Sequence, residues 1–341
     1  MVIVTPRISA IIPAYNAAAT IGRAIESVLA QRFDRVVEII VSDDGSTDGT
    51  AKAAAAFGGR VTFLRGANRG PAATRNAGVK ASHGEYIALL DADDAWLPHK
   101  LARMMAAMEG DRACSLAYSD AIRVDARGTI VSASYYARPG NRTPSIDDTL
   151  AELCNLLPST VVIRREKYDE IGGFCERFGV NKPQCEDAWF CIVARERGPF
   201  RYVAEPLALY TVPLSFDARL RRRGIALGGG SPEPEIARML TNYELMARLA
   251  DERYGRRARR LLRAIRRAET DFLAGVGLTA MAAGDRATAR AAYAHAMRIP
   301  HARAKTAARM AFAALPPTVA RMLAAALPRQ LARSFVGPAR A

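Results

Sequence analysis

Gly84-Glu85-Tyr86-Ile87-Ala88-Leu89-Leu90-Asp91-Ala92-Asp93-Asp94-Ala95-Trp96 runs from a polar start through an apolar stretch and stops in three carboxylates. Tyr86 to Leu90 has the length and composition of a buried strand, and the acidic residues mark its end. Like charges gathered at one strand end are costly unless something positive neutralises them. A divalent cation holding a diphosphate is the simplest answer. Open α/β sheets place ligands at such strand ends.

Outward from this strand the same unit repeats. Arg7 to Pro13, Val37 to Ser42 and Val61 to Leu64 are short apolar runs rich in β-branched residues. Ile21, Ile25, Val28 and Leu29 recur at helical spacing between the first two, and Ala-rich helical segments at 50–57 and 71–82 separate the others. This alternation predicts an α/β front domain with a helix-covered parallel sheet. Beyond Cys114 shorter strands are expected at Leu116 to Ser119, Ile130 to Ser134, Thr160 to Ile163 and Tyr202 to Ala204. A polar stretch at 137–148, containing Pro139, Gly140, Asn141 and Pro144, reads as a mobile loop. The expected organisation is an α/β domain over 1–215, a linker over 216–232 around Gly228-Gly229-Gly230-Ser231-Pro232, and a helical region over 233–341. Within that region 271–283 and 286–297, joined at Gly284-Asp285, resemble one helical hairpin of the tetratricopeptide sort.

The net charge of +15 over 341 residues is confined to the end of the chain. Residues 216–341 hold 24 basic and 9 acidic side chains, and the preceding 215 hold 25 of each. A basic tail on a neutral front half predicts contact with an anionic surface, such as a membrane leaflet or an acidic partner; a solvated helical face is the alternative. Few aromatics interleave the arginines, which argues against nucleic acid. No uncharged apolar run reaches the length of about 18 residues that a spanning helix needs. Met1 to Pro13 lacks the order of a signal peptide, so the expected location is the cytoplasm. The five cysteines form no CxxC pair and are expected to be reduced structural thiols.

Three further segments follow strands with polar residues. Pro13-Ala14-Tyr15-Asn16 stops a strand at an aromatic ring able to stack on a nucleobase. In Ser42-Asp43-Asp44-Gly45-Ser46-Thr47-Asp48-Gly49-Thr50, Asp44 is placed to accept from a base imide N–H and Asp43 to hold ribose or the loop, with Asp48 expected to cap the next helix. In Asn68-Arg69-Gly70-Pro71-Ala72-Ala73-Thr74-Arg75-Asn76-Ala77-Gly78, the glycines let backbone approach a ligand, and Arg75 is placed to meet phosphate or another carboxylate.

Together these four segments resemble glycosyltransferase family two, with its Pro-x-Tyr-Asn start, Asp-Asp-Gly-Ser-x-Asp turn, Asn-x-Gly…Arg-Asn-x-Gly helix and Asp-x-Asp-Asp strand end. The resemblance covers about residues 8–212. It implies a GT-A nucleotide-diphospho-sugar transferase fold, a Rossmann-like mixed sheet flanked by helices, here with a helical C-terminal extension. It also implies that Pro13, Tyr15, Asn16, Asp43, Asp44, Arg75 and Asp91 serve the donor, with Tyr15 and Asp44 at the base, and that Asp93 and Asp94 bind manganese or magnesium. Gly172-Gly173-Phe174 followed by Cys185-Glu186-Asp187 is similar to the family's Gly-Gly-Phe…Glu-Asp segment, which makes Glu186 and Asp187 the catalytic pair and Asp187 the general base. A plain amphipathic helix with acidic residues at its positive end would look the same.

The family's processive members carry a Gln-x-x-Arg-Trp motif and several membrane helices, and neither is found here. The resemblance therefore implies one sugar added per encounter, from a nucleotide sugar, foremost a uridine diphosphate sugar, to a glycan or lipid-linked acceptor. Cell-surface polysaccharide or glycolipid assembly is the expected setting. Leu209-Tyr210-Thr211-Val212-Pro213-Leu214-Ser215 departs from relatives that follow their last strand with Tyr-Arg and a nearby His. Trp96 reads as packing or acceptor lining and His99 as a bystander. A nucleotide-sugar-binding scaffold should have lost Asp93 or Asp187, and a nucleotidyltransferase should carry a Gly-rich basic phosphate loop near its start; neither condition is met.

Overall fold

The computed structural model describes residues 8–136, 156–179, 185–212, 233–282, 285–299, 311–313 and 315. It divides into two compact units, residues 1–212 and 213–341. The sequence-expected loop at 137–148, the linker at 216–232 and Cys154 lie outside the described residues.

The front unit is built on one nine-stranded mixed sheet. Its strands are β1 (Ile8–Ala14), β2 (Val37–Asp43), β3 (Thr62–Arg65), β4 (Tyr86–Leu89), β5 (Ala95–Trp96), β6 (Leu116–Val124), β7 (Ile130–Ser132), β8 (Val161–Arg164) and β9 (Phe200–Thr211). They lie in the order β3-β2-β1-β4-β8-β6-β9-β5, with β7 paired to β6. β3, β2, β1 and β4 run parallel, β8 is antiparallel to both β4 and β6, and β6 runs parallel to β9. The predicted parallel half is thus joined to a mixed half, where β6 and β9 extend well past their expected segments. β5 has two residues, too few for periodicity to reveal.

Alternation along β1 explains the two faces of the sheet. Ile8, Ala10 and Ile12 pack with Ile21, Ala24, Ile25 and Val28 of α1 (Ile21–Leu29). Ile11 faces the other way, with Ile40, Ile87 and Leu89, against Ala72 and Val79 of α3 (Pro71–Lys80). A Cβ added to Gly78 would stand 2.7 Å from Ile11 Cγ2, so this glycine brings α3 against the sheet. Gly70, at φ +95°, turns the chain into Pro71 at the first helical position. α2 (Thr50–Ala55) begins at the expected residue, but Gly49 and not Asp48 occupies the cap position; Asp48 instead accepts the N–H groups of Thr50 at 2.9 Å and Ala18 at 3.0 Å. Among the described residues the unit also holds α4 (Lys100–Glu109), α5 (Arg165–Ile171) and α6 (Glu186–Ala194).

The second unit contains α7 (Glu233–Tyr254), α8 (Arg259–Ala282) and α9 (Arg286–Arg298). Leu273 and Val276 of α8 pack with Ala292 and Ala296 of α9 and Ile236 of α7. Asp285 caps α9, accepting the Thr288 N–H at 3.0 Å. The two arms of the hairpin are unequal, 24 residues against 13, because α8 starts twelve residues ahead of the expected segment. Among the described residues no helix is long and apolar enough to cross a membrane.

Candidate active site

The four polar segments meet along the C-terminal ends of the parallel strands, and α6 brings a fifth group of residues to them. After β1, Tyr15 is the most exposed of the sequence-predicted aromatics, with 49% of its surface open. Its hydroxyl accepts from Asn68 Nδ2 at 3.3 Å. Pro13 is half-buried in β1, level with Ser42 of β2. Asn16, at φ +49°, ties the first two loops: its N–H donates to Ser46 Oγ at 2.8 Å, and its side-chain oxygen accepts the Thr47 N–H at 2.9 Å.

Asp43 and Asp44 are both buried, and both serve backbone. Asp43 accepts the N–H and hydroxyl of Ser46, closing its own turn. Asp44 accepts the Arg69 N–H at 2.7 Å on one oxygen and the Gly70 N–H at 2.8 Å on the other. Asp44 therefore shapes the loop that starts α3, and any base N–H must share an oxygen already in use.

Arg75 is the centre of the site. Its guanidinium is buried, and it donates to Asp91 Oδ1 at 2.9 Å and to Glu186 Oε1 at 2.8 Å. It lies over the Phe174 ring, 5.2 Å from the centroid. Its Nε is buried without a hydrogen-bond partner among the described residues. The two carboxylates raise the guanidinium pKa against the opposing effect of burial, so it stays charged. Of the two sequence readings of Arg75, the carboxylate one is realised within the chain itself.

Phe174 reaches Arg75 because Asn76 docks the Gly172-Gly173-Phe174 segment. Its side chain donates to the Phe174 carbonyl at 2.9 Å and accepts the Phe174 N–H at 2.8 Å. Cys185, at φ +113°, holds a backbone conformation that side chains rarely adopt and launches α6 with Glu186 and Asp187 in its first turn. Glu186 is buried in the ion pair with Arg75. Asp187 is half-buried and accepts the Ala188 N–H at 2.7 Å. Burial, then the charge of Glu186, pushes the Asp187 carboxyl up to about 7, with Asp91 adding to the effect.

The acidic turn after β4 divides its carboxylates. Asp91 is partly exposed and paired with Arg75, and Asp93 is half-buried. Asp94 is buried and turned inward, accepting Ser159 Oγ at 2.5 Å and the Thr211 N–H at 2.9 Å. Burial and the charges of Asp93 and Asp91 hold its carboxyl well above the usual range, and the same three carboxylates contribute to a Tyr210 phenol pushed up to about 12, mainly by burial. Hard oxygen ligands with excess negative charge fit magnesium or manganese. Among the described residues no three His, Cys, Asp or Glu side chains converge as a cation cage, so a cation here would need oxygens from the donor diphosphate as well.

Sequence reasoning missed Asn76, Ser159, Thr211 and Arg23. Each acts through contacts made over long chain separations; Asn76 stands in the Arg-Asn-x-Gly pattern, which was the available signal, and Ser159, Thr211 and Arg23 stand in none that signals their role. Trp96 is buried, with its Nε1 donating to the Ser159 carbonyl at 2.9 Å, so it is packing; His99 is exposed. Cys114, Cys175, Cys185 and Cys191 are thiols outside any disulfide.

The family model described as Glycosyl transferase family 2 matches residues 9–172. The succinoglycan biosynthesis protein ExoO of Rhizobium meliloti is 46% identical over 102 residues, covering 29% of this chain and 29% of that protein. This chain spans 28–32% of the length of the first curated relatives it matches. Among solved structures, S. aureus TarS 1–349 in complex with UDP-GlcNAc superposes with a TM-score of 0.57 at 17% identity, over 86% of this chain and 88% of that one. The mannosyltransferase PcManGT of Pyrobaculum calidifontis, in complex with GDP-Man and Mn2+, gives 0.55 at 18% identity, over 97% and 83%. The fold they share with the front unit is the GT-A type. With the segments from β1 to the Gly172 turn inside the matched range, residues 9–172 of this chain are a glycosyl transferase family 2 domain.

Proposed function

We propose that this chain is an inverting, metal-dependent, non-processive glycosyltransferase that moves a sugar from a nucleoside diphosphate sugar, foremost a uridine diphosphate sugar, to an acceptor hydroxyl. The observation that carries the reading is the Arg75 bridge. It joins the acidic turn to the helix that bears Asp187, a carboxyl tuned by burial to the pH range of a general base. The names of the relative in succinoglycan biosynthesis and of the nucleotide-sugar complexes support the class of reaction and of donor.

In this reading Tyr15 stacks on the base while Asp43, Asp44 and Asn16 fix the loops around it. Asp91 and Asp93 would hold a magnesium or manganese ion, which would supply positive charge to offset that on the departing diphosphate. Asp187 takes the proton of the acceptor hydroxyl as its oxygen bonds to the anomeric carbon from the face opposite the diphosphate. The carbon–oxygen bond to the diphosphate breaks, and the nucleoside diphosphate leaves with that electron pair. Glu186 acts through Arg75, holding Asp187 in register rather than meeting substrate. The acceptor is a glycan or lipid-linked sugar of a cell-surface polysaccharide or glycolipid.

The basic unit is suited to carry the enzyme to an anionic membrane face on the cytoplasmic side. Residues 253–267 contain eight arginines and no acidic residue. Arg256, Arg257, Arg259, Arg260, Arg263 and Arg267 are exposed, while Leu261 and Ile265 are buried on the other side of α8. Sedimentation with vesicles containing 30% phosphatidylserine, lost with neutral vesicles and in salt near 1 M, is expected; equal sedimentation with both vesicle types would remove this part of the reading.

The deciding experiment measures nucleoside diphosphate release from a panel of nucleotide sugars with manganese, magnesium or chelator. Turnover of one donor that needs the cation and is lost in Asp93→Ala is the expected result. Failure of the wild-type chain to bind any nucleotide sugar would overturn the reading.

A further inference from the structure

The turn from Asp91 to Asp94 is closed by its own hydrogen bond, Asp94 N–H to the Asp91 carbonyl at 3.0 Å, and is then held from behind by residues outside the acidic motif. Ser159 lies in the short helical turn Pro158–Thr160 that precedes β8. Its Oγ accepts the Asp91 N–H at 3.0 Å and donates to Asp94 Oδ2 at 2.5 Å, so one hydroxyl spans both ends of the turn. Thr211, the last residue of β9, donates its N–H to Asp94 Oδ1 at 2.9 Å and its hydroxyl to the Asp93 carbonyl at 2.5 Å. Arg23 of α1 donates Nη2 to the same carbonyl at 2.6 Å and to Thr211 Oγ1 at 3.0 Å.

These supports are themselves fixed. The Ser159 carbonyl accepts Trp96 Nε1 at 2.9 Å, and the next carbonyl, of Thr160, accepts Lys100 Nζ at 2.9 Å. Asp94, Ser159, Thr160, Trp96 and Lys100 are all buried. Asp94 uses both oxygens inward, which removes it from the groups that can reach a ligand without breaking two hydrogen bonds.

We propose that Ser159 and Thr211 are positioning residues that fix the acidic turn, with Asp94 as its inward anchor, so that the carboxylates of Asp91 and Asp93 are preset for a divalent cation and the donor diphosphate. This rests on the transferase reading above. Hydrogen bonds one step removed from the ligands set their orientation, and their loss loosens a cation even when every ligand is still present. The requirement is sharper where the chain supplies few ligands.

The test uses Ser159→Ala and Thr211→Val, each of which removes a hydroxyl without adding bulk, and Thr211→Ser, which keeps the hydroxyl. Mn2+ binding is followed by calorimetry on the full chain with uridine or guanosine diphosphate present, alongside nucleotide binding without the cation and the thermal midpoint. The expected result is Mn2+ affinity weakened about tenfold or more in Ser159→Ala and Thr211→Val, with Thr211→Ser within about twofold of wild type and cation-free nucleotide affinity unchanged in all. Wild-type Mn2+ affinity in both hydroxyl-lacking variants, with only a lowered midpoint, would overturn the positioning role and leave the transferase reading standing. A wild-type chain that binds no Mn2+ with either nucleotide would overturn the metal reading and this proposal together.

Discussion

Arg75 on α3 and Glu186 on α6 stand 111 residues apart in the sequence, yet their side chains meet at 2.8 Å inside the front unit, and the same guanidinium holds Asp91 at 2.9 Å. This one cation ties the strand end proposed to serve the donor to the helix proposed to serve the acceptor. Removing it leaves the buried Glu186 carboxylate and the partly exposed Asp91 carboxylate without their shared cation.

Arg75→Gln is therefore expected to cost about 3–5 kcal/mol of stability, the range for breaking a buried pair. Adding Glu186→Gln relieves the stranded charge, so the double variant is expected to be more stable than the sum of the single losses by about 1–3 kcal/mol. Urea unfolding of the three variants checks this. Additive losses would mean that the pair is not coupled as described.

Asp187→Asn is expected to lower kcat by about 10²–10⁴-fold, the usual contribution of a general base, with donor KM nearly unchanged. Because the carboxyl is pushed up to about 7, wild-type kcat is expected to fall as pH drops through that value. The sign for stability is opposite to that of a salt-bridged carboxylate. The folded state holds its proton over the interval from about 4, the unfolded value, to about 7, so stability falls as pH rises across it. The Asn variant should flatten both dependences, and a pH–rate profile with parallel denaturation curves reads them.

Tyr15→Ala is expected to raise donor KM about tenfold or more, since a base stacked on an aromatic ring contributes about 1–3 kcal/mol. Tyr15→Phe keeps the ring and should stay within about twofold, because the hydroxyl has only the long contact with Asn68 at 3.3 Å. Equal KM values in all three proteins would move the base elsewhere in the site.

Gly277→Ala tests the second unit. In an open helix the change would gain up to about 1 kcal/mol from helix propensity. Here the added Cβ would press into the buried Tyr293 ring of α9, and overpacking of this kind costs about 1–3 kcal/mol. A lowered thermal midpoint is expected, and a raised one would show that α8 and α9 are not packed through this glycine.

The parallel half of the sheet, the first three helices and the polar residues at the strand ends were legible in the sequence. Each is a local pattern: alternation along β1, helical spacing from Ile21 to Val28, and turn chemistry around Asp43 and Gly70. Composition also showed the break between a neutral front and a basic tail. Tertiary structure alone decided how those residues divide their work. Asp44 and Asp94 look like ligands in a linear reading, but Arg69 and Gly70 occupy one, and Ser159 and Thr211 occupy the other. The Asp187 carboxyl is pushed up by the burial that the fold imposes and by its neighbour Glu186, and the fold adds Asp91, which raises it further, and Arg75, which opposes the shift. The physical reason is one of range. Backbone preferences and burial faces are set by neighbours a few residues away, whereas the protonation and orientation of a side chain depend on whichever charges and donors the fold brings within a few ångströms, here from 65 to 117 residues along the chain.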